Sequence, residues 1–311
     1  MSYHIEDAKR PKPPSAPKWP SFRGTSTFVG TSPSGRVDVF VDHSLGAKAL
    51  QNAKDLVNDS DRVVTANDAI FGTRGGHVSV IVFALGGATD GSGGADHLGC
   101  DYRTGSAIEA CASYGQSARV SALFEAELSE CSMNGNLCGE STGEALSRWC
   151  AAVIGNNALA DFATAPTWAQ DGAPDFVNRT EPTDQGADST GCGMAFISWM
   201  ISLGHGLEKI APAMVTLGDS GTLAQLYGTL TDDDPANAWP KFQDAIGGLA
   251  GGVTSDDPFG GVASARTSLN QVIARVRAGI PPLSDPIADR GCQIRSRRLL
   301  PPSAAKRAAS R

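Results

Sequence analysis

The sequence predicts an α+β protein, an N-terminal α/β part followed by a mainly helical part. Two observations carry this. Val37–Val41 (VDVFV) and His77–Leu85 (HVSVIVFAL) are short, β-branched apolar runs of strand length, the second continuous enough for a strand buried on both faces. After Tyr114 no such run recurs, and the apolar residues instead fall at helical spacing.

The elements follow in order. Residues 1–36, rich in Pro, Ser, Lys and Gly, have the composition of a flexible basic arm. The Val37–Val41 strand leads to a helix that Ser44 can cap. That helix runs to about Ile70 on Ala49, Ala53, Leu56 and Val63, with Gly72 just past its end. The second strand gives way to GGATDGSGGADHLGCDY, Gly86 to Tyr102, whose glycines predict a loop. Helices are predicted for Ser117–Met133, Ser141–Ile154, Ser189–Leu203, Thr222–Leu230 and Ala263–Ala278. The globular domain is thus expected over 37–280, divided near 133. Residues 281–311 are expected to form a second flexible basic tail. Both tails lack apolar periodicity, so the body from Arg36 to Pro281 is expected to fold without them.

Charge narrows the partners. The net charge is −7, but residues 1–36 carry six Lys/Arg against two acids and residues 281–311 carry seven against two. The body between them sits near −16. An acidic body argues against nucleic acid, whose phosphates require Lys and Arg. No apolar stretch reaches membrane-span length. The start, MSYHIEDAKR, lacks an apolar h-region, which implies a cytoplasmic protein, or an extracellular one if a leader has been removed. Seven cysteines leave at least one unpaired within a monomer, and Cys131 and Cys138, flanking a short SMNGNL loop, could pair. No CxxC pair occurs, which argues against zinc held by cysteine.

The segment ARVSALFEAELSECS carries the chemistry. Val120, Leu123/Phe124, Glu127 and Cys131 share one helix face, so Glu127 stands on an apolar stripe where a carboxylate needs compensation. Glu130, three residues on, shares that side. The stretch ESTGEALSRW opens a second helix and presents Glu144.

These residues resemble a degenerate form of the gluzincin-type, zincin-fold metallopeptidases, in which one helix carries HExxH and a following helix supplies a glutamate ligand. Here AELSE, Ala126 to Glu130, stands in the first frame and GEALSR, Gly143 to Arg148, in the second. The resemblance implies a zincin-like fold over roughly Val37 to Leu249, with Glu127 in the general-base position, Ala126 and Glu130 in the histidine positions and Glu144 as third ligand. The spacing from Glu130 to Glu144 is shorter than in that family. DSTGCGMAFISW, Asp188 to Trp199, is similar to a later family segment but lacks its histidine. Ala126 cannot bind a metal, and carboxylate ligands suit calcium, manganese or magnesium rather than zinc. Ordinary zinc proteolysis is therefore not expected.

Plainer roles stand beside these. Ser141-x-x-Glu144 matches a capping box, Glu125 and Glu130 could be solvated helix charges, and Glu127 could pair with Arg148. The loop holds Asp90, Asp96, His97 and Asp101, an oxygen-rich set compatible with calcium though matching no standard loop. His97 and Cys100 could form a Cys–His pair, but acidic surroundings keep a thiol pKa high. In the family layout this loop runs along the cleft rim, which makes His97 and Asp101 site candidates. His205 is placed at a helix end, and His4, His43 and His77 have no partner in sequence.

Two functions compatible with the sequence remain. One is a binding or structural pseudoenzyme that keeps the cleft for a peptide or small molecule. The other is a hydrolase with Glu127 as general base, His97 and Glu130 completing the catalytic group, and Glu130, Glu144 and Asp101 holding a divalent cation.

Overall fold

The computed structural model describes residues 13–102 and 106–278. Five strands form one mixed sheet: β1 (Ser26–Thr31), β2 (Val37–Asp42), β3 (Val78–Phe83), β4 (Ala95–Leu98) and β5 (Ala107–Cys111). Their spatial order is β1-β2-β3-β5-β4. The inner strands β2, β3 and β5 are parallel, and the edge strands β1 and β4 run antiparallel to their neighbours.

Alternation along the strands builds two cores. Val37, Val39, Val41, Val78, Val80, Val82, Ile108 and Ala110 face the helices, while Phe40, Ile81, Phe83 and Ala107 face the other way. Apolar side chains on both faces are what make VDVFV and VSVIVF read as near-continuous runs. The second face is covered by Trp19 and Phe22, which pack edge-on against Phe40 and Phe83 at ring-centroid distances of 5.4 and 5.1 Å. Glu109 points to this same face. Its carboxylate accepts from Ser21 N–H (3.0 Å), Ser21 Oγ–H (2.6 Å) and Phe22 N–H (2.6 Å). The expectation of a flexible arm through residue 36 is thus overturned for residues 13–36. Two aromatic rings and a strand repay an ordering entropy that Pro-rich composition alone suggested they could not. Residues 1–12 and 281–311 lie outside the described residues.

The helices are α1 (Gly46–Phe71), α2 (Ser117–Ser132), α3 (Ser141–Gly155), α4 (Ala165–Gln170), α5 (Ala187–Ser202), α6 (Leu207–Leu217), α7 (Leu223–Thr231), α8 (Ala238–Gly247) and α9 (Val262–Arg277). α1 ends as expected: Gly72 takes a left-handed conformation (φ 66°) and its N–H returns to Asp68 O. Its start differs. The Asp42 carboxylate accepts Ser44 N–H and opens a short 3-10 turn, so Ser44 is not the cap. α7 begins with a reciprocal capping box between Thr222 and Gln225. α4, α6 and α8 were not anticipated. All three carry Pro in the helix or its first turn, and α4 is only 6 residues long. Trp168, Phe196, Trp199 and Phe242 pack together among α4, α5 and α8, with Trp168 and Phe242 stacked at 5.9 Å.

Candidate functional site

The segment read as a glycine loop contains β4, and this strand sets one wall of the site. It pairs with β5 in the register His97↔Ile108. Ile108 faces the helices, so His97 does too. Ala95 and His97 are half-buried, while Asp96 and Leu98 are exposed. The strand was hidden because ADHL has no apolar alternation. Glycines around it serve a close approach: a Cβ on Gly93 would collide with the Leu85 carbonyl.

Opposite β4, α2 presents Ala126, Glu127 and Glu130, and α3 presents Glu144 and Arg148. With Asp184, Gln185 and Asp256 they line a cavity of about 650 Å³. His97 Nδ1 lies 2.8 Å from Glu127 Oε2, and His97 Nε2 lies 3.7 Å from Glu130 Oε2. Four of the five predicted residues therefore meet: His97, Glu127, Glu130 and Glu144. The fifth, Asp101, is not among the cavity's lining residues.

Several alternatives from the sequence are corrected here. Arg148 does not pair with Glu127. Its guanidinium reaches Asp256 Oδ2 (3.1 Å), Thr164 Oγ1 (3.3 Å) and the Phe162 carbonyl. Asp256 is not close in sequence, so this partner was invisible there. Glu144 forms no capping box, because the α3 N-cap position is Glu140 and no side chain caps it. Glu130 is not a solvated charge, its side chain being 12% exposed. Nor is Glu125, which is fully buried with both carboxylate oxygens lacking a hydrogen bond. α2 is enclosed by α1, α3 and the sheet, so even its apparently outward face is interior.

Cys131 does not join Cys138. It lies on the buried side of α2, where burial pushes its thiol up to about 12, and Cys138 instead forms a disulfide with Cys100. That bond removes Cys100 as a nucleophile. Asp90 accepts from Ser92 N–H and Ser92 Oγ–H, closing its own turn.

Electrostatics follow from crowding. Burial, reinforced by the charges of Glu127 and Glu144, pushes Glu130 up to about 8, against the pull of His97 and a hydrogen bond from Ser147. Burial likewise pushes Glu144 up to about 7, with Arg148 pulling it down and Glu127 and Asp184 pushing it up. Burial pulls the His97 imidazole down, but the hydrogen bond and charge of Glu127, then Glu130 and Asp96, outweigh it and its pKa is raised. The arrangement sets an imidazole hydrogen-bonded to Glu127 beside two carboxyl groups held above the usual carboxylate range. It can receive a cation, and it offers no nitrogen ligand at position 126.

Fold and cavity together define an α+β protein with a mixed five-stranded sheet and a carboxylate-lined cleft between an edge strand and two helices. No family model matches the sequence, and no curated protein matches it. Among solved structures, the chain is similar to a mutant M1 zinc metallopeptidase from Deinococcus radiodurans, with a TM-score of 0.40 and 9% identity. The alignment covers 70% of this chain and 51% of that one, so the chain spans about half the length of that protein. No helix among the described residues is long and apolar enough to cross a membrane.

Proposed function

We propose that this chain is a zincin-like binding protein whose cleft, carrying no ordinary zinc-peptidase machinery, takes a cationic group of a peptide or small molecule. The observation that supports this best is the 2.8 Å contact between His97 and Glu127. It occupies the carboxylate that the family pattern would leave free to activate water. Among the described residues Glu144 has no cation within ion-pair distance, and the one cationic group within that distance of Glu130 is His97, at 3.7 Å. Two buried carboxyl groups without full compensation favour a ligand that brings its own positive charge. Metal of the calcium, manganese or magnesium kind is a poorer occupant. Glu130, Glu144 and Asp101 are absent from the groups whose donor atoms converge to metal-binding distances among the described residues.

The test is calorimetric titration of the full chain with a short alanine peptide bearing a free amino terminus, against the same peptide acetylated. The free amine is expected to bind at least tenfold more tightly, and Glu130→Gln/Glu144→Gln to erase the difference. Equal binding of both peptides would remove the cationic assignment. Cleavage of the peptide, abolished in Glu127→Gln, would make the protein a hydrolase instead.

A further inference from the structure

A second site lies at the rim of the cleft. His97, Cys100 and Cys138 have donor atoms within 4.8 Å of one another, and all three residues are half-buried rather than sealed in the core. The sulfurs are joined, so no metal can use them while the disulfide stands. We propose that reduction of the Cys100–Cys138 disulfide converts this cluster into a Cys₂His site for a thiophilic divalent metal, zinc above all. The absence of CxxC in the sequence argued against cysteine-held zinc. The fold brings together in space what the spacing does not.

The ligand chemistry fits. Two thiolates and an imidazole are a soft, nitrogen- and sulfur-donating set that selects zinc over calcium or magnesium and leaves a fourth position for water or a carboxylate. Glu130 lies 3.7 Å from His97 Nε2, on the imidazole side of the cluster. Glu127 supplies the outer partner. In the tautomer whose Nδ1–H donates to Glu127 at 2.8 Å, Nε2 is left for the metal, the carboxylate–histidine–metal arrangement.

Other contacts hold the same segments together. Gly135 N–H donates to the Cys100 carbonyl (2.9 Å), which ties the loop between α2 and α3 to the end of β4. That loop is held from its other side by Leu137 N–H to Asp219 Oδ1 (2.6 Å) and Asn136 Nδ2–H to the Val215 carbonyl (3.3 Å). His97 is fixed independently by the β4–β5 ladder. Opening the disulfide therefore releases two sulfurs that stay beside the imidazole.

The redox step is ordinary thiol–disulfide exchange. A dithiol reductant gives two electrons and two protons to the disulfide and leaves as its own disulfide, and the metal then displaces the thiol protons as it binds. The inference goes beyond the cationic-ligand assignment and does not depend on it, since that assignment is tested on the oxidised chain.

The test uses the full chain and Co²⁺ as a spectroscopic stand-in, with Zn²⁺ as competitor. The phosphine-reduced protein is expected to bind one Co²⁺ with a thiolate-to-cobalt charge-transfer band, lost on adding Zn²⁺. The oxidised protein should show no such band. Cys100→Ser/Cys138→Ser should abolish it, and His97→Asn should weaken binding at least tenfold. Circular dichroism of the reduced protein checks that it stays folded, and Cys138→His provides a second arm that needs no reductant. It cannot form the disulfide but keeps three ligands, so it should bind Co²⁺ without reductant. Absence of the band in both the reduced protein and Cys138→His overturns the proposal. So does a band that survives in the double serine variant.

Discussion

Glu109 on β5 holds the backbone N–H of Phe22 at 2.6 Å across 87 residues of chain. This carboxylate is fully buried and takes three donors from Ser21 and Phe22. Replacing it with Ala would strand those donors and loosen the cover over Phe40 and Phe83. We expect Glu109→Ala to lose on the order of 3 kcal/mol. Denaturant unfolding checks this, together with faster proteolysis within residues 13–24. Removal of residues 1–35 should be at least as damaging, and an unaltered midpoint would mean that the segment is ornamental.

Glu125 makes stability depend on pH. Burial raises its pKa well above 4.5, the nearby Arg62 charge only partly opposing this and Asp68 adding to it. The folded chain therefore keeps a proton that the unfolded chain releases. Stability contributed by the neutral form is complete below about 4.5 and declines as pH rises towards the folded-state value. Glu125→Gln needs no proton and should flatten this slope. It should match the wild type near pH 4 and exceed it by on the order of 2 kcal/mol in mildly alkaline buffer. Melting curves across that range that stay parallel would refute the assignment.

Asp256 is a structural clamp. It accepts from Thr164 N–H (2.8 Å), Ala165 N–H (2.7 Å) and Arg148 Nη2–H (3.1 Å), pinning the start of α4 to α3. Both Asp256→Ala and Arg148→Ala should cost about 3 kcal/mol, because each leaves a partly buried partner charge alone. Combining them should cost clearly less than the sum of the two. A strictly additive double mutant would show that the pair is not coupled.

Glu127→Gln separates binding from folding. The amide can still meet His97 Nδ1, so the melting temperature should move by no more than a few degrees. The charge on the cleft is lost, and affinity for the free-amine peptide should fall severalfold. A large drop in melting temperature would mark Glu127 as a folding residue first.

Metal content follows from the same residues. Ala126 supplies no donor, and the thiolates are locked in the disulfide. Oxidised protein dialysed against chelator-free buffer should contain far less than one zinc per chain by elemental analysis. A stoichiometric, tightly held zinc in the oxidised chain would require a ligand set not described above.

The sequence disclosed elements whose cause is local. The strands around Val39 and Val80, and helices α2, α3, α5, α7 and α9, follow from periodicity that each segment carries by itself. β1, β4 and β5 did not show, because STFVGT, ADHL and AIEAC owe their strand state to neighbours in the sheet. The site divided the same way. Glu127 and Glu130 share one helix face by their spacing, whereas Glu144 and His97 were singled out by what the resemblance to the metallopeptidase family implies. What no spacing could reveal was pairing: Arg148 with Asp256, Glu127 with His97, Cys100 with Cys138. Glu125 was missed for a related reason, since a helix enclosed on all sides leaves no polar stripe to read.

The disulfide also imposes an order on how the chain must mature. Cys111 and Cys131 lie between Cys100 and Cys138 and leave the ribosome before Cys138 does. Either could capture Cys100 if oxidation came early. In the finished protein both are buried, one on β5 and one on α2. Correct pairing therefore requires the sheet and α2 to hide these two thiols before Cys138 is oxidised. A chain oxidised while still unfolded would accumulate mispaired isomers, whereas one allowed to fold in reductant and oxidised afterwards would reach a single product.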